Sequence, residues 1–106
     1  MFARLSVYDV PQDAREEADA RFREALALIG QSEGFVEAYY LFASESEKAA
    51  TFTVWETYEA MIASRVAASR IRSDAARAAG GEVVSVEEFT LVAHHRAGAS
   101  EVSADS

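Results

Sequence analysis

Cysteine is absent from the 106 residues of this chain, which removes disulfides, thiolate metal sites and cysteine nucleophiles together. Lysine is almost as scarce. Lys48 stands alone, the arginines are interleaved with acids, and the formal net charge is −8. Nucleic-acid binding draws much of its affinity from neutralised phosphates and needs clustered cations, so neither nucleic acid nor an anionic membrane surface is an expected partner. No apolar run approaches the roughly 20 residues needed to cross a bilayer. The N-terminus has no basic segment of the kind that opens a signal peptide, and the cytoplasm is the expected compartment.

What is present has ordinary globular composition and enough length for one domain. From Phe2 to Tyr8 the chain alternates Phe2, Arg4, Ser6 and Tyr8 against Ala3, Leu5 and Val7, the period of a strand. The only proline, Pro11, marks a turn. Asp13 and Glu16 have capping-box spacing for a helix that runs to about Ile29. Its apolar face is Ala14, Ala18, Phe22, Ala25, Leu26 and Ile29, and Gly30 suits a left-handed C-cap. A second strand, Phe35 to about Ala43, is rich in aromatic residues. A short polar loop leads to a third, Ala50 to Trp55. Thr57 can cap a second helix reaching about Ala79, with Met61, Ser64, Ala68, Ile71, Ala75 and Ala78 as its small-residue stripe. Gly80-Gly81 ends it, and a last strand runs from Glu82 to Ala93. Residues His94 to Ser106 read as a disordered tail behind a domain spanning 1–93.

The expected fold is therefore α+β, with the ferredoxin-like order β-α-β-β-α-β on an antiparallel sheet. Both helices of such a fold lie on one face of the sheet. The later strands are apolar on both faces, with Val83, Phe89 and Leu91 on one side of the last strand and Val84, Val86 and Val92 on the other. An uncovered apolar face marks an interface, and a two-fold homodimer is the common way to cover it.

The stretch GFVEAYYLFASESEKAATFTVWETYEAM, followed by a small-residue helix and GGEVVSVEEF, resembles antibiotic biosynthesis monooxygenase (ABM) domains of the dimeric α+β barrel superfamily. The resemblance covers roughly residues 1–93 and rests on Gly34-Phe35, Trp55-Glu56 and Gly80-Gly81. It implies two sheets packed face to face across a dimer, and a pocket in each protomer between sheet and helices. Members include cofactor-independent oxygenases of polycyclic aromatics and haem-degrading enzymes. The haem-degrading members use an asparagine on the first strand, a tryptophan, and a histidine on the second helix. This chain has no asparagine. Ser6 is the nearest polar group on strand one, and Arg65 and Arg70 are the larger polar groups on the helix, so haem degradation is not expected.

The ligand-binding candidates are Trp55, Tyr39, Arg4, Ser6, Tyr8 and Arg65. Trp55 could stack on a flat ligand, though core packing is its commoner use. Arg4, Ser6 and Tyr8 could wall a cavity, with the arginine stabilising an enolate or phenolate. A salt bridge to an acid such as Glu87 is the plainer alternative and the favoured one. Tyr39 and Tyr40 point to opposite faces, one toward the pocket and one toward the dimer. His94 and His95, adjacent on a strand, project apart and cannot readily share a metal. No metal-ligand, phosphate-loop or nucleophile-elbow spacing occurs. Two functions stay open: a cofactor-independent monooxygenase acting on a small aromatic or polyketide-like molecule, and a non-catalytic dimer that binds a small hydrophobic ligand. An RNA-recognition domain shares the element order, but TFTVWETY lacks the glycine and basic residues of that signature.

Overall fold

The computed structural model describes residues 1–98 and 102–103. Strand β1 (Phe2–Asp9) leads through a 3-10 turn at Gln12–Ala14 into helix α1 (Arg15–Ile29). Strands β2 (Phe35–Phe42) and β3 (Lys48–Trp55) follow, then α2 (Tyr58–Ala63), α3 (Arg65–Ala78) and β4 (Glu82–Thr90). The four strands form one antiparallel sheet in the order β2-β3-β1-β4. This is the α+β, ferredoxin-like arrangement expected from the sequence, and among the described residues no helix is long and apolar enough to cross a membrane.

Register sets the two faces of the sheet. Phe2, Arg4, Ser6 and Tyr8 stand opposite Trp55, Thr53, Thr51 and Ala49, and this set faces the helices. Tyr8 packs on Phe22 of α1, with ring centroids 4.6 Å apart, and Phe22 stacks on Tyr40 at 5.0 Å. Ala18, Phe22, Ala25 and Ile29 are buried along α1, close to the stripe that its periodicity predicts. Surface ion pairs Glu17–Arg21 and Asp19–Arg23 support the other face of that helix. The alanines of α3, at 68, 75 and 76, are buried and let α3 lie close to α1 and the sheet. At Gly81 a Cβ would fall 2.1 Å from the Asp9 carbonyl oxygen, so only glycine fits where the chain enters β4.

Several local expectations are corrected. Asp13 and Glu16 make no capping box: Ala14 is the N-cap residue of α1 and no side chain caps it. The chain instead tightens into the 3-10 turn, where the Ala14 N–H donates to the Pro11 carbonyl. Gly30 is right-handed, at φ −65°, because the helix unwinds through further i→i−3 bonds from Gln31 and Ser32. The left-handed residue comes later, at Gly34 (φ 79°), where a Cβ would meet Ala60 at 2.4 Å. Thr57 caps α2 as expected, accepting from the Ala60 N–H at 3.1 Å.

The helix read as continuous is two helices, broken at Ser64. The last strand ends at Thr90, short of Ala93, and a bulge opposite Val7 and Tyr8 shifts its register. Val83 then joins the helix-side core, and Val86 also stands on the helix side opposite Ser6, so the two faces assigned to β4 by strict alternation do not hold. Beyond β4, Ala93–His94 pair with Val102–Ser103 as a two-residue ladder, all of it but Ala93 in the stretch expected as a disordered tail. Residues 99–101 and 104–106 of that stretch lie outside the described residues.

Candidate functional site

Polar side chains rarely line the inside of a sheet, because each must find a partner away from water. Here Arg4, Ser6, Thr51 and Thr53 are all buried on the helix-facing side, each at most 5% exposed. Arg4 is the anchor of this strip. Its Nη1 donates to Ser64 Oγ at 3.1 Å and its Nη2 to the Met61 carbonyl at 2.8 Å. Nη2 and Nε both reach Glu88 Oε2, at 2.8 and 3.1 Å. The acid that pairs with Arg4 is thus Glu88 and not Glu87, which stands opposite Leu5 on the other face of β4. Ser64 Oγ in turn donates to the Met61 carbonyl at 2.7 Å. The Met61 carbonyl thus takes two side-chain donors as well as the Ser64 N–H where α2 gives way to α3, and side-chain insertion into the ladder is a recognised cause of helix breaks.

Trp55 is fully buried beside Arg4, whose guanidinium carbon lies 5.8 Å from the ring centroid. Its Nε1 donates to Thr53 Oγ1 at 3.0 Å, and Phe35 meets it edge-on at 5.5 Å. With Ile29, Met61 and Ala68 it forms a closed cluster, so the ring packs as core and presents no free face. Tyr8 is also fully buried and shares a 2.7 Å hydrogen bond with Thr51. Burial raises its hydroxyl pKa, and the bonds to Thr51 and Ser6 offset part of the rise.

The strip opens at the β4 edge into a cleft of about 360 Å³ lined by Arg4, Arg65, Ser69, Arg72, Val86 and Glu88. Arg65, half exposed on α3, holds Glu88 from above at 2.5 Å. Glu88 thus sits between two guanidinium groups, and they depress its pKa from 4.5 to about 2, Arg65 contributing most and burial opposing. A carboxylate so held is a fixed negative charge and not a proton carrier at neutral pH. Arg72 lies deeper, 7% exposed. Burial lowers its pKa, the nearby Arg4 lowers it further, and Tyr8 and Glu88 pull the other way.

A larger depression, about 500 Å³, lies on the far side of α2 and includes Glu33, Glu56, Glu59 and Ser64. Its three carboxylates are exposed, and the buried polar group at its wall, Ser64, is already bonded to Arg4. The smaller cleft is the better candidate because two of its guanidinium groups, Arg4 and Arg72, are desolvated and Glu88 is held between Arg4 and Arg65. Among the described residues no cluster of His, Asp and Glu side chains could hold a metal.

Of the six candidates read from the sequence, the fold brings Arg4, Ser6, Tyr8, Trp55 and Arg65 to the helix-facing side. Tyr39 stands on the opposite face, packed on Phe52 with its hydroxyl donating to Glu37 at 2.5 Å. Tyr40 is the tyrosine on the helix side. Sequence reasoning missed Arg72, Ser64 and Glu88. The available signal was spacing, since Arg65, Ser69 and Arg72 recur at four and three residues along one helix face.

No family model and no curated protein matches the chain. Solved structures do. SnoaB, a cofactor-independent oxygenase from Streptomyces nogalater, superposes with a TM-score of 0.69 at 17% identity, over 92% of this chain and 97% of that one. A protein provisionally described as an antibiotic biosynthesis monooxygenase, from Deinococcus radiodurans, gives 0.70 at 10% identity, over 86% and 92%. A haem-degrading protein from Mycobacterium tuberculosis gives 0.62 at 23% identity, over 86% and 93%. Nearly the whole chain is thus matched at identities where shape alone is shared, and the fold of this protein is that of the ABM-type ferredoxin-like domains.

Proposed function

We propose that this protein is an ABM-type cofactor-independent monooxygenase. It acts on a small aromatic or polyketide-like molecule bound in the cleft between β4 and α3. The observation that carries the reading is the buried arginine cluster, Arg4 and Arg72 with Arg65 above them, facing a single carboxylate. In such a reaction one acidic C–H of a CH2 group is lost and the resulting enolate carbon gives its electrons to dioxygen, forming a hydroperoxide. Loss of the second C–H as the O–O bond breaks leaves one oxygen atom on carbon as a carbonyl and releases the other as water, so the substrate is the only reductant. A desolvated guanidinium stabilises the developing enolate and makes that C–H more acidic. Glu88, held as a carboxylate, fixes Arg4 and Arg65 in place.

The same reading makes the protein a cytoplasmic homodimer. Among the described residues no helix covers the second face of the sheet, where Tyr39, Leu41 and Phe89 are each more than two-fifths exposed. An apolar face of that kind fits a second copy related by a two-fold axis.

The packing of Trp55 favours a second reading, a non-catalytic dimer that binds a small hydrophobic ligand, because the one tryptophan is spent on the core. Oxygen-electrode assays with anthrone separate the two. Oxygen consumption matched by anthraquinone formation, faster than the spontaneous rate and reduced in Arg72→Met, supports the oxygenase. Saturable anthrone binding with no oxygen uptake supports the binder.

A further inference from the structure

Among the described residues Arg72 is buried without a hydrogen-bonded or ion-paired partner. Its Nε in particular is enclosed and unsatisfied. The contrast with Arg4, equally buried and bonded to Glu88, Ser64 and Met61, is sharp. A buried cation is expected to be paired, and acids are not in short supply, since the chain has eighteen. The one carboxylate in the cleft, Glu88, is already engaged by Arg4 and Arg65. Three guanidinium groups therefore meet one acid in a protein whose overall charge is −8, and the surplus lies at the wall of a cleft with about 360 Å³ of space.

Because Nε is enclosed, a ligand in the cleft can reach Arg72 only at the end of its guanidinium, a cationic N–H donor group suited to the oxygens of a carboxylate. Val86 adds an apolar wall against which a ring can rest. We propose that Arg72 is an anion anchor and that the cleft takes a small aromatic carboxylate, paired with the Arg72 guanidinium and flanked by Arg65 and Ser69. The proposal deepens the reading of this cleft as the ligand site and rests on it, but it needs no turnover.

The test is isothermal titration of the purified protein with 1-naphthoate, its neutral analogue 1-naphthamide, and inorganic phosphate, alongside melting temperatures of Arg72→Met and Arg72→Lys. The expected result is saturable naphthoate binding, one per protomer, at least tenfold tighter than naphthamide and tighter than phosphate. Arg72→Met abolishes that preference while its melting temperature is unchanged or higher, because an uncompensated buried cation has been removed. Arg72→Lys keeps the charge without the guanidinium and binds several-fold more weakly than wild type. The proposal is overturned by naphthoate binding no tighter than naphthamide, by phosphate binding tighter than either, by full binding in Arg72→Met, or by a marked fall in melting temperature of that variant, which would give Arg72 a purely structural role. Because 1-naphthoate has no oxidisable C–H of the required kind, these outcomes are independent of oxygen uptake. The anion site can stand where the oxygenase reading fails, and the reverse.

Discussion

Arg4 donates to Ser64 across the gap between sheet and helix, at 3.1 Å, and Ser64 is the residue at which one expected helix becomes two. A strand residue thereby sets the geometry of α2 and α3. The break also fixes where α3 begins, and hence how Arg65, Ser69 and Arg72 address the cleft. Replacing Arg4 by methionine leaves Ser64, the Met61 carbonyl and one side of Glu88 without their buried donor. The expected loss is about 3 kcal/mol, the lower part of the range for breaking a buried ion pair, because Glu88 keeps Arg65. Urea denaturation measures it, and a loss below about 1 kcal/mol would show that Arg4 does not organise this junction.

Trp55 packs as core and not as a ligand platform. Trp55→Ala should cost about 3–5 kcal/mol, and Trp55→Phe considerably less, since most of the apolar contact survives and only the Nε1 bond to Thr53 is lost. Both are read from chemical denaturation. If Trp55→Ala instead folds with near-native stability and loses 1-naphthoate or anthrone binding, the ring faces a ligand in solution and the closed cluster around it opens.

A bulge interrupts the alternation of β4, so its faces were not legible, whereas those of β1 were, because period-two alternation is a local property that puts Arg4, Ser6 and Tyr8 on one side. The helix stripes and the Thr57 cap were legible for the same reason. The partner of Arg4 was not. Glu87 and Glu88 are adjacent and point to opposite faces, so the choice between them turns on cross-strand register and on a bulge, which are tertiary facts. The break at Ser64 was hidden likewise, because its cause is a residue sixty positions away. Arg72 was overlooked because an arginine beside an alanine stripe reads as a solvated flank, and only the packing of α3 on the sheet buries it.

Glu88 gives the protein a defined acid sensitivity. Its pKa is depressed in the folded state, from 4.5 to about 2, so its ion pairs stabilise the fold fully above about pH 5 and are lost as pH falls from 4.5 toward 2. Arg65 is half exposed and solvent screens its share, so the expected contribution is about 1–2 kcal/mol. Melting curves of wild type and Glu88→Gln across this range should differ most at neutral pH and converge near pH 2. A constant offset at all pH values would mean that the titration of Glu88 does not couple to folding.

The two faces of β4 make separable claims. Phe89 stands opposite Ala3 on the face that no helix covers, while Val86 stands opposite Ser6 at the cleft. Phe89→Glu places a charge in the proposed dimer interface, where burying it unpaired is unfavourable, and sedimentation velocity should show monomer in place of dimer. Val86→Glu places a carboxylate beside Arg72 and should leave the dimer intact while competing with added 1-naphthoate. The pair also controls for general damage, since each variant is expected to keep the property that the other loses. Dissociation by Val86→Glu with no effect of Phe89→Glu would invert the assignment of the faces, and a wild-type monomer at high micromolar concentration would remove the second copy from the account of this sheet.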